Sequence, residues 1–127
     1  MEDFNLILRE LMKKDDIEKI NIPLSENLKK EFETTAERYI KNGNLLDAIK
    51  VFALIKNKEK LISTSELCLK DNSPYESLQG FLYANSPEHL NKIGFVMMQI
   101  PDVNNALIAF KKAKNFEMIN FIELNLL

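Results

Sequence analysis

The chain has 127 residues, of which 46% are apolar and 28% are charged, and this composition predicts one folded domain rather than a disordered tail. Because 17 Lys and Arg residues stand against 19 Asp and Glu, the sequence predicts no nucleic-acid partner. Cys68 is the single cysteine and no run of 18 apolar residues is present, which predicts a cytoplasmic protein without an internal disulfide or membrane insertion.

Residues 1–24 contain an apolar stripe followed by two acidic residues. The stripe has helical spacing and consists of Phe4, Ile7, Leu8, Leu11 and Met12. We expect Asp15 and Asp16 to end this helix, and the short segment 20–23, which closes with a proline, to be a linker. We interpret residues 1–24 as a capping helix and linker, with an independent binding helix as the alternative, and residues 25–127 as a helical-repeat array.

From residue 32 onward the same types of side chain recur at a spacing of 29 residues. A repeat of this length is one supersecondary unit that must stack on its neighbours to bury its apolar face. The recurring apolar sets include Ile49, Leu78 and Leu107, then Phe52, Phe81 and Phe110, and then Leu61, Leu90 and Ile119. The sequence therefore predicts stacked helical pairs.

Capping and turn residues mark the helix ends at the same spacing. The N-cap candidates are Asn44, Ser73 and Asp102. Ser73 and Glu76 together have the pattern of a capping box. The positions just before the caps, where a helix ends through a left-handed residue or a proline, are Gly43, Asn72 and Pro101. After the first helix, the predicted helices span roughly 26–42, 45–56, 58–70, 74–84, 87–99, 103–114 and 116–126.

Each first helix of a pair carries a small residue at the centre of its apolar stripe. These residues are Ala36, Ser65 and Gly94. Since a small side chain lets two helices approach closely, we expect them at the helix crossings. Cys68 occupies an apolar position one turn further on, which predicts a buried, unreactive thiol.

The pattern resembles a tetratricopeptide repeat. The residues that carry this resemblance are Ala36, Tyr39, Gly43, Ala48 and Phe52, and in a second copy Gly94, Met97, Ala106, Phe110 and Ala113. The unit is about five residues shorter than that repeat, and Lys60 and Met118 replace its closing proline. In its length it is more similar to the helical zigzags of clathrin and coatomer-type proteins. The resemblance implies an all-α, right-handed αα-superhelix of about three and a half hairpins plus an N-terminal helix.

The same resemblance implies a protein-binding scaffold whose first helices line a concave groove. The groove floor would consist of Lys30, Thr34, Glu37, Lys41, Glu59, Ser63, Glu66, Lys70, Glu88, Lys92, Phe95 and Gln99. These side chains are mixed in charge and lack the dense Lys and Asn set with which some tetratricopeptide domains hold a C-terminal carboxylate. We therefore do not predict that ligand.

Residues 116–127 repeat the first-helix pattern, and eight of these twelve residues are apolar, which is more than a helix covered on one side needs. The candidate interface consists of Phe116, Phe121, Leu124, Leu126 and Leu127. Either this segment packs on the preceding helix and its remaining exposed apolar side chains are ordinary protein surface, or it forms the interface with a second copy or with a partner protein.

No residue pattern predicts catalysis, a cofactor or a metal site. His89 is the single histidine, and we expect it to be a surface residue in the first turn of a helix. The lysines at 56, 58, 60, 111, 112 and 114 are expected to be solvated charges near helix C-termini rather than a phosphate site. The sequence thus favours a non-enzymatic scaffold that binds a protein or peptide, with a homo-oligomeric assembly unit, associating through the last helix, as the alternative.

Overall fold

The computed structural model describes residues 2–127, with side chains from residue 6 onward, so Phe4 of the predicted apolar stripe lies outside the described side chains. This range is all-α, as predicted, and contains a short 3-10 helix at Ile17–Lys19. Its eight α-helices are α1 (Glu2–Met12), α2 (Glu26–Lys41), α3 (Leu45–Leu54), α4 (Lys58–Lys70), α5 (Pro74–Ala84), α6 (Pro87–Gln99), α7 (Val103–Ala113) and α8 (Phe116–Asn125).

The helices pack mainly on their neighbours in sequence. The closest pairs are α2 with α3, α4 with α5, and α6 with α7, and α8 packs on α7. We call α2, α4, α6 and α8 the first helices and α3, α5 and α7 the second helices. Each second helix also contacts the next first helix, and α3 contacts α5. The arrangement is that of stacked helical pairs.

The predicted helix bounds are confirmed to within two residues. The turns between the helices recur every 29 residues, as the repeat in the sequence predicts. First helices α2 and α4 end before Gly43 (φ 80°) and Asn72 (φ 57°), and Pro101 follows α6. The backbone N–H one residue later bonds back to the helix in all three, from Asn44 to Tyr39, from Ser73 to Cys68 and from Asp102 to Met97, at 2.6–2.8 Å. Each second helix also ends at a residue with positive φ, and these are Lys56, Asn85 and Lys114.

The N-termini of the helices show that part of the capping prediction is wrong. Asp102 is a cap, since its carboxylate accepts from the Asn105 backbone N–H at 3.1 Å, and this bond lowers the pKa of Asp102. The prediction of a capping box at Ser73 is wrong, because the Ser73 hydroxyl makes no hydrogen bond to a backbone N–H of the first turn. With ψ at 66° rather than extended, the short Ser73 side chain does not reach the free amides, whereas Ser25 (ψ 160°) caps α2. Asn44 occupies the N-cap position of α3 without a side-chain cap bond.

Two asparagines, Asn57 and Asn115, each cap one first helix and also bind the preceding first helix. The Asn57 side-chain oxygen accepts from Lys60 N–H at 3.1 Å, while its amide nitrogen donates to Glu33 at 3.2 Å. Asn115 does the same further along the chain, with the Met118 N–H (3.1 Å) and the Asn91 side chain (2.9 Å). These bonds join α2 to α4 and α6 to α8, and they are not among the predicted features.

The N-terminal segment contributes to the core of the first pairs. Leu8 and Ile17 are buried in the same cluster as Phe52, and the Ile17 turn contacts both α3 and α5. The Lys56 ammonium group donates to the Glu18 carbonyl at 2.6 Å, which fixes this turn to the end of α3. The turn between α1 and the predicted linker 20–23 is therefore packed structure, and Ile20 and Ile22 of that linker also pack against this cluster.

Ser65 and Gly94, two of the three predicted small residues, lie at helix crossings. A Cβ built on Gly94 would lie 2.7 Å from the ring of Phe110, and one built on Gly80 would overlap the Ser65 hydroxyl. Phe110 is fully buried. The crossings of α4 with α5 and of α6 with α7 therefore depend on the absence of side-chain atoms at one position.

Replacing Gly94 with alanine should lower the free energy of unfolding by about 1–3 kcal/mol, because the added methyl group overlaps a buried ring. Helix propensity alone would raise the free energy of unfolding by about 1 kcal/mol, so a decrease indicates the overlap with the ring. Urea denaturation measures the change. Asn120→Ala on the exposed side of α8 is the control and should change stability by less than about 0.5 kcal/mol. A stabilised Gly94→Ala variant would contradict the tight crossing.

Ser77→Ala should stabilise the protein by about 1 kcal/mol, because the Ser77 hydroxyl is buried without a hydrogen-bond partner. Alanine fits there, since Ala48 and Ala106 hold the equivalent buried positions. Ser65→Ala is the matched control: its hydroxyl is also buried but donates to the Leu61 carbonyl at 2.7 Å. Equal changes in melting temperature for both variants would refute this reasoning.

Candidate interaction surfaces

The predicted groove residues share one face of the first helices. All twelve lie on α2, α4 and α6, and all are exposed except Glu37, which is half-buried and pairs with Lys60 at 3.3 Å. Between α4 and α6 this face has a cavity of about 560 Å³, which is lined by Ser63, Glu66, Leu67, Leu69, Lys70 and Lys92. Four of the twelve predicted residues therefore meet at one depression, and the others are spread along the face.

The first-helix face changes from polar to apolar along the chain. At one recurring position the residues are Thr34, Ser63, Lys92 and Phe121, and at the next they are Glu37, Glu66, Phe95 and Leu124. Phe95 and Phe121 are 49% and 48% exposed, and Leu124 is 83% exposed. The Phe95 ring packs edge-on against Phe110, with the centroids 5.1 Å apart, which limits its freedom. We call Phe95, Phe121 and Leu124 the apolar patch.

Residues 116–127, which form α8 and the two residues after it, expose five of their eight apolar side chains. Ile122 is fully buried, and Met118 and Ile119 are half-buried. The structure leaves all five residues of the candidate C-terminal interface exposed, namely Phe116, Phe121, Leu124, Leu126 and Leu127. Their role as an interface stays a prediction.

An unpredicted cleft lies between the N-terminal segment and the second helices. Its volume is about 660 Å³, and it is lined by Met12, Lys13, Lys14, Asp15, Asp16, Glu18, Leu46, Lys50, Gln79, Leu82, Tyr83 and Lys112. Burial raises the pKa of Tyr83, and the nearby carboxylates act in the same direction. One sequence signal for this fold-back was Ile17, a single apolar residue between charged ones.

His89 and Cys68 both pack against other side chains of the fold. His89 is half-buried rather than a surface residue, because its ring stacks on Phe81 at a centroid distance of 5.0 Å and Nδ1 lies 2.7 Å from the Ser86 hydroxyl. Cys68 is fully buried, as predicted, and burial raises the pKa of its thiol to about 11, with Glu76 and Asp71 adding to the effect. Among residues 6–127, no group of three or more His, Cys, Asp or Glu side chains is placed to hold a metal ion.

No protein-family model, curated protein or solved structure matches this chain. The fold therefore defines a class and not a family, and that class is an all-α protein whose helical pairs stack in sequence order. Nowhere in residues 2–127 is there a helix with the length and apolar character needed to cross a membrane.

Cys68 should react with a thiol reagent at pH 8 at least about 100-fold more slowly in the native protein than in denaturant. The raised pKa alone accounts for this factor, since the thiolate fraction falls tenfold for each unit of pKa, and burial slows the reaction further. Absorbance from a coloured disulfide reagent gives the rate, with the denatured protein as the control. A native rate close to the denatured one would contradict the buried, inert thiol.

Proposed function

We propose that the protein is a non-enzymatic scaffold that binds a protein or peptide through the apolar patch. The exposure of Phe95, Phe121 and Leu124 on neighbouring first helices is the observation that carries this proposal. Large apolar side chains that cluster on an exposed surface are typical of interaction sites. Since α2 and α4 have polar residues at the equivalent positions, the proposed contact is confined to α6 and α8.

We further propose that the stacked pairs form a right-handed superhelix similar to tetratricopeptide arrays. The support is the recurrence of helix ends and core phenylalanines every 29 residues, because units joined in a similar way rotate by a similar angle at each step. A cytoplasmic location remains a prediction from the single, unpaired cysteine.

A homo-oligomeric assembly unit is the second candidate function. It is favoured by the exposure of Phe116 and Leu127, which are 68% and 70% exposed and lie on α8 or just beyond it. A second copy could cover these two side chains. The two candidates differ in the mass of the bound partner, which the following experiment measures.

A photoreactive benzoylphenylalanine at position 121 should crosslink a partner of discrete mass in extracts of the source cells. The same group at position 108 is the control, because Ile108 and Phe121 are both 48% exposed but Ile108 lies on a second helix. The adduct should disappear when Leu124→Asp is added. An adduct with the mass of two copies would favour the homo-oligomer, whereas equal adducts at both positions, or none, would refute the proposed surface.

The double variant Phe121→Asp, Leu124→Asp should lose the partner without unfolding. Both side chains are largely exposed, so each change should alter the free energy of unfolding by less than about 0.5 kcal/mol. Thermal melting checks the fold, and crosslinking from position 95 checks binding. Retained binding by a folded double variant would exclude the apolar patch as the contact surface.

A further inference from the structure

The small-residue position of the helical pairs is occupied by a glutamate in α8. Ala36, Ser65 and Gly94 hold this position in α2, α4 and α6, and the next residue at the same spacing is Glu123. In the internal pairs this position lies against the second helix, as the overlap between a Cβ on Gly94 and the Phe110 ring demonstrates. Glu123 is exposed.

Glu123 interrupts an otherwise apolar strip at the C-terminal end of the chain, in which Ile119 is half-buried against the core and the other members are exposed. Ile119 and Leu126 flank it at positions where the internal first helices have buried core residues, such as Leu90 and Met97. Phe116 and Leu127 extend the strip at its two ends. We call Phe116, Ile119 and Glu123 of α8, together with Leu126 and Leu127 just beyond its end, the uncovered α8 face. Residues 115–127 contain two acidic side chains, Glu117 and Glu123, and no Lys, Arg or His.

We propose that the uncovered α8 face binds an amphipathic helix of another protein that presents a Lys or Arg side chain to Glu123. This inference rests on the proposed scaffold function and names the chemistry of the partner. The apolar residues of the strip would bury the apolar face of that helix, as in other helix-in-groove complexes. The carboxylate would select helices with a cation at the crossing point.

Charge decides which occupant fits. A helix that covered Glu123 without a cation would leave a desolvated, unpaired carboxylate, which is strongly unfavourable. A cation at the crossing removes this penalty and gives a charge-assisted hydrogen bond. A glutamate side chain also keeps the two backbones apart, so the close approach seen at Gly94 is not available, and a long Lys or Arg side chain spans the larger gap.

A second copy of this chain fits the face poorly. In a two-fold pairing of α8 with α8, Glu123 near the centre of the strip would meet its own copy, and residues 115–127 supply no cation to separate the like charges. Like charges across an interface disfavour that pairing. An anionic membrane surface is disfavoured by the same carboxylates.

Two synthetic peptides test the proposal with the full-length protein. Both are amphipathic helices of roughly 14 residues with the same apolar side chains, and they carry either Lys or Glu at the central crossing position. Titrations followed by the amide signals of labelled protein give both the affinity and the site. The Lys peptide should shift the signals of Ile119, Glu123 and Leu126, and it should bind at least about fivefold more tightly than the Glu peptide.

Glu123→Lys should invert the preference between the two peptides. Glu117→Lys is the matched control, since Glu117 is the other exposed acid of α8 but lies outside the strip, and it should leave the preference unchanged. Equal affinities, an unchanged preference in Glu123→Lys, or no binding of either peptide would overturn the inference. So would a stable dimer of the wild-type protein in light scattering.

These outcomes are separable from failure of the scaffold function. The crosslinking experiment probes the apolar patch through Phe121, whereas the peptide preference depends on Glu123 on another side of α8. A discrete heterologous adduct at position 121 together with no charge preference would leave the scaffold function intact and refute the basic helix as the occupant.

Discussion

The close approach of two helices within each pair is the constraint on which the rest of this structure depends. A first helix can lie against its second helix because the crossing position has almost no side chain, as at Gly94 against the ring of Phe110. The ring then fills the space beside the crossing and is fully buried. With the pair held this closely, the far side of the second helix is free to contact the next first helix, and stacking continues along the chain.

The features that follow from local chemistry were predictable from the sequence. Glycine at position 43 and asparagine at position 72 tolerate positive φ, so the ends of α2 and α4 could be placed from residue type alone. The recurrence of apolar types identified the core, including the buried Cys68. Whether such an array curves has no such local signal, because curvature depends on small rotations between pairs. For this reason the concave groove could be predicted only from the resemblance to tetratricopeptide repeats.

Features that depend on tertiary contacts were missed. Lys56 and Lys114 have positive φ, although lysine gives no indication of it. Asn57 could be recognised as a capping type, but its second bond to Glu33 depends on how two first helices are spaced. The cleft behind the second helices was missed because it exists only after Ile17 folds back onto α3 and α5.

The junctions between neighbouring first helices are not equivalent, and this has a mechanical consequence. Asparagine side chains join α2 to α4 and α6 to α8, but the corresponding positions between α4 and α6 are Ile62 and Ser86, and Ser86 is bonded to His89 instead. Across residues 6–127, no side-chain hydrogen bond connects α4 with α6, and the cavity of about 560 Å³ lies between them. We therefore expect the array to flex as two stiff halves about this junction, with amide hydrogen exchange fastest there among the first-helix contacts.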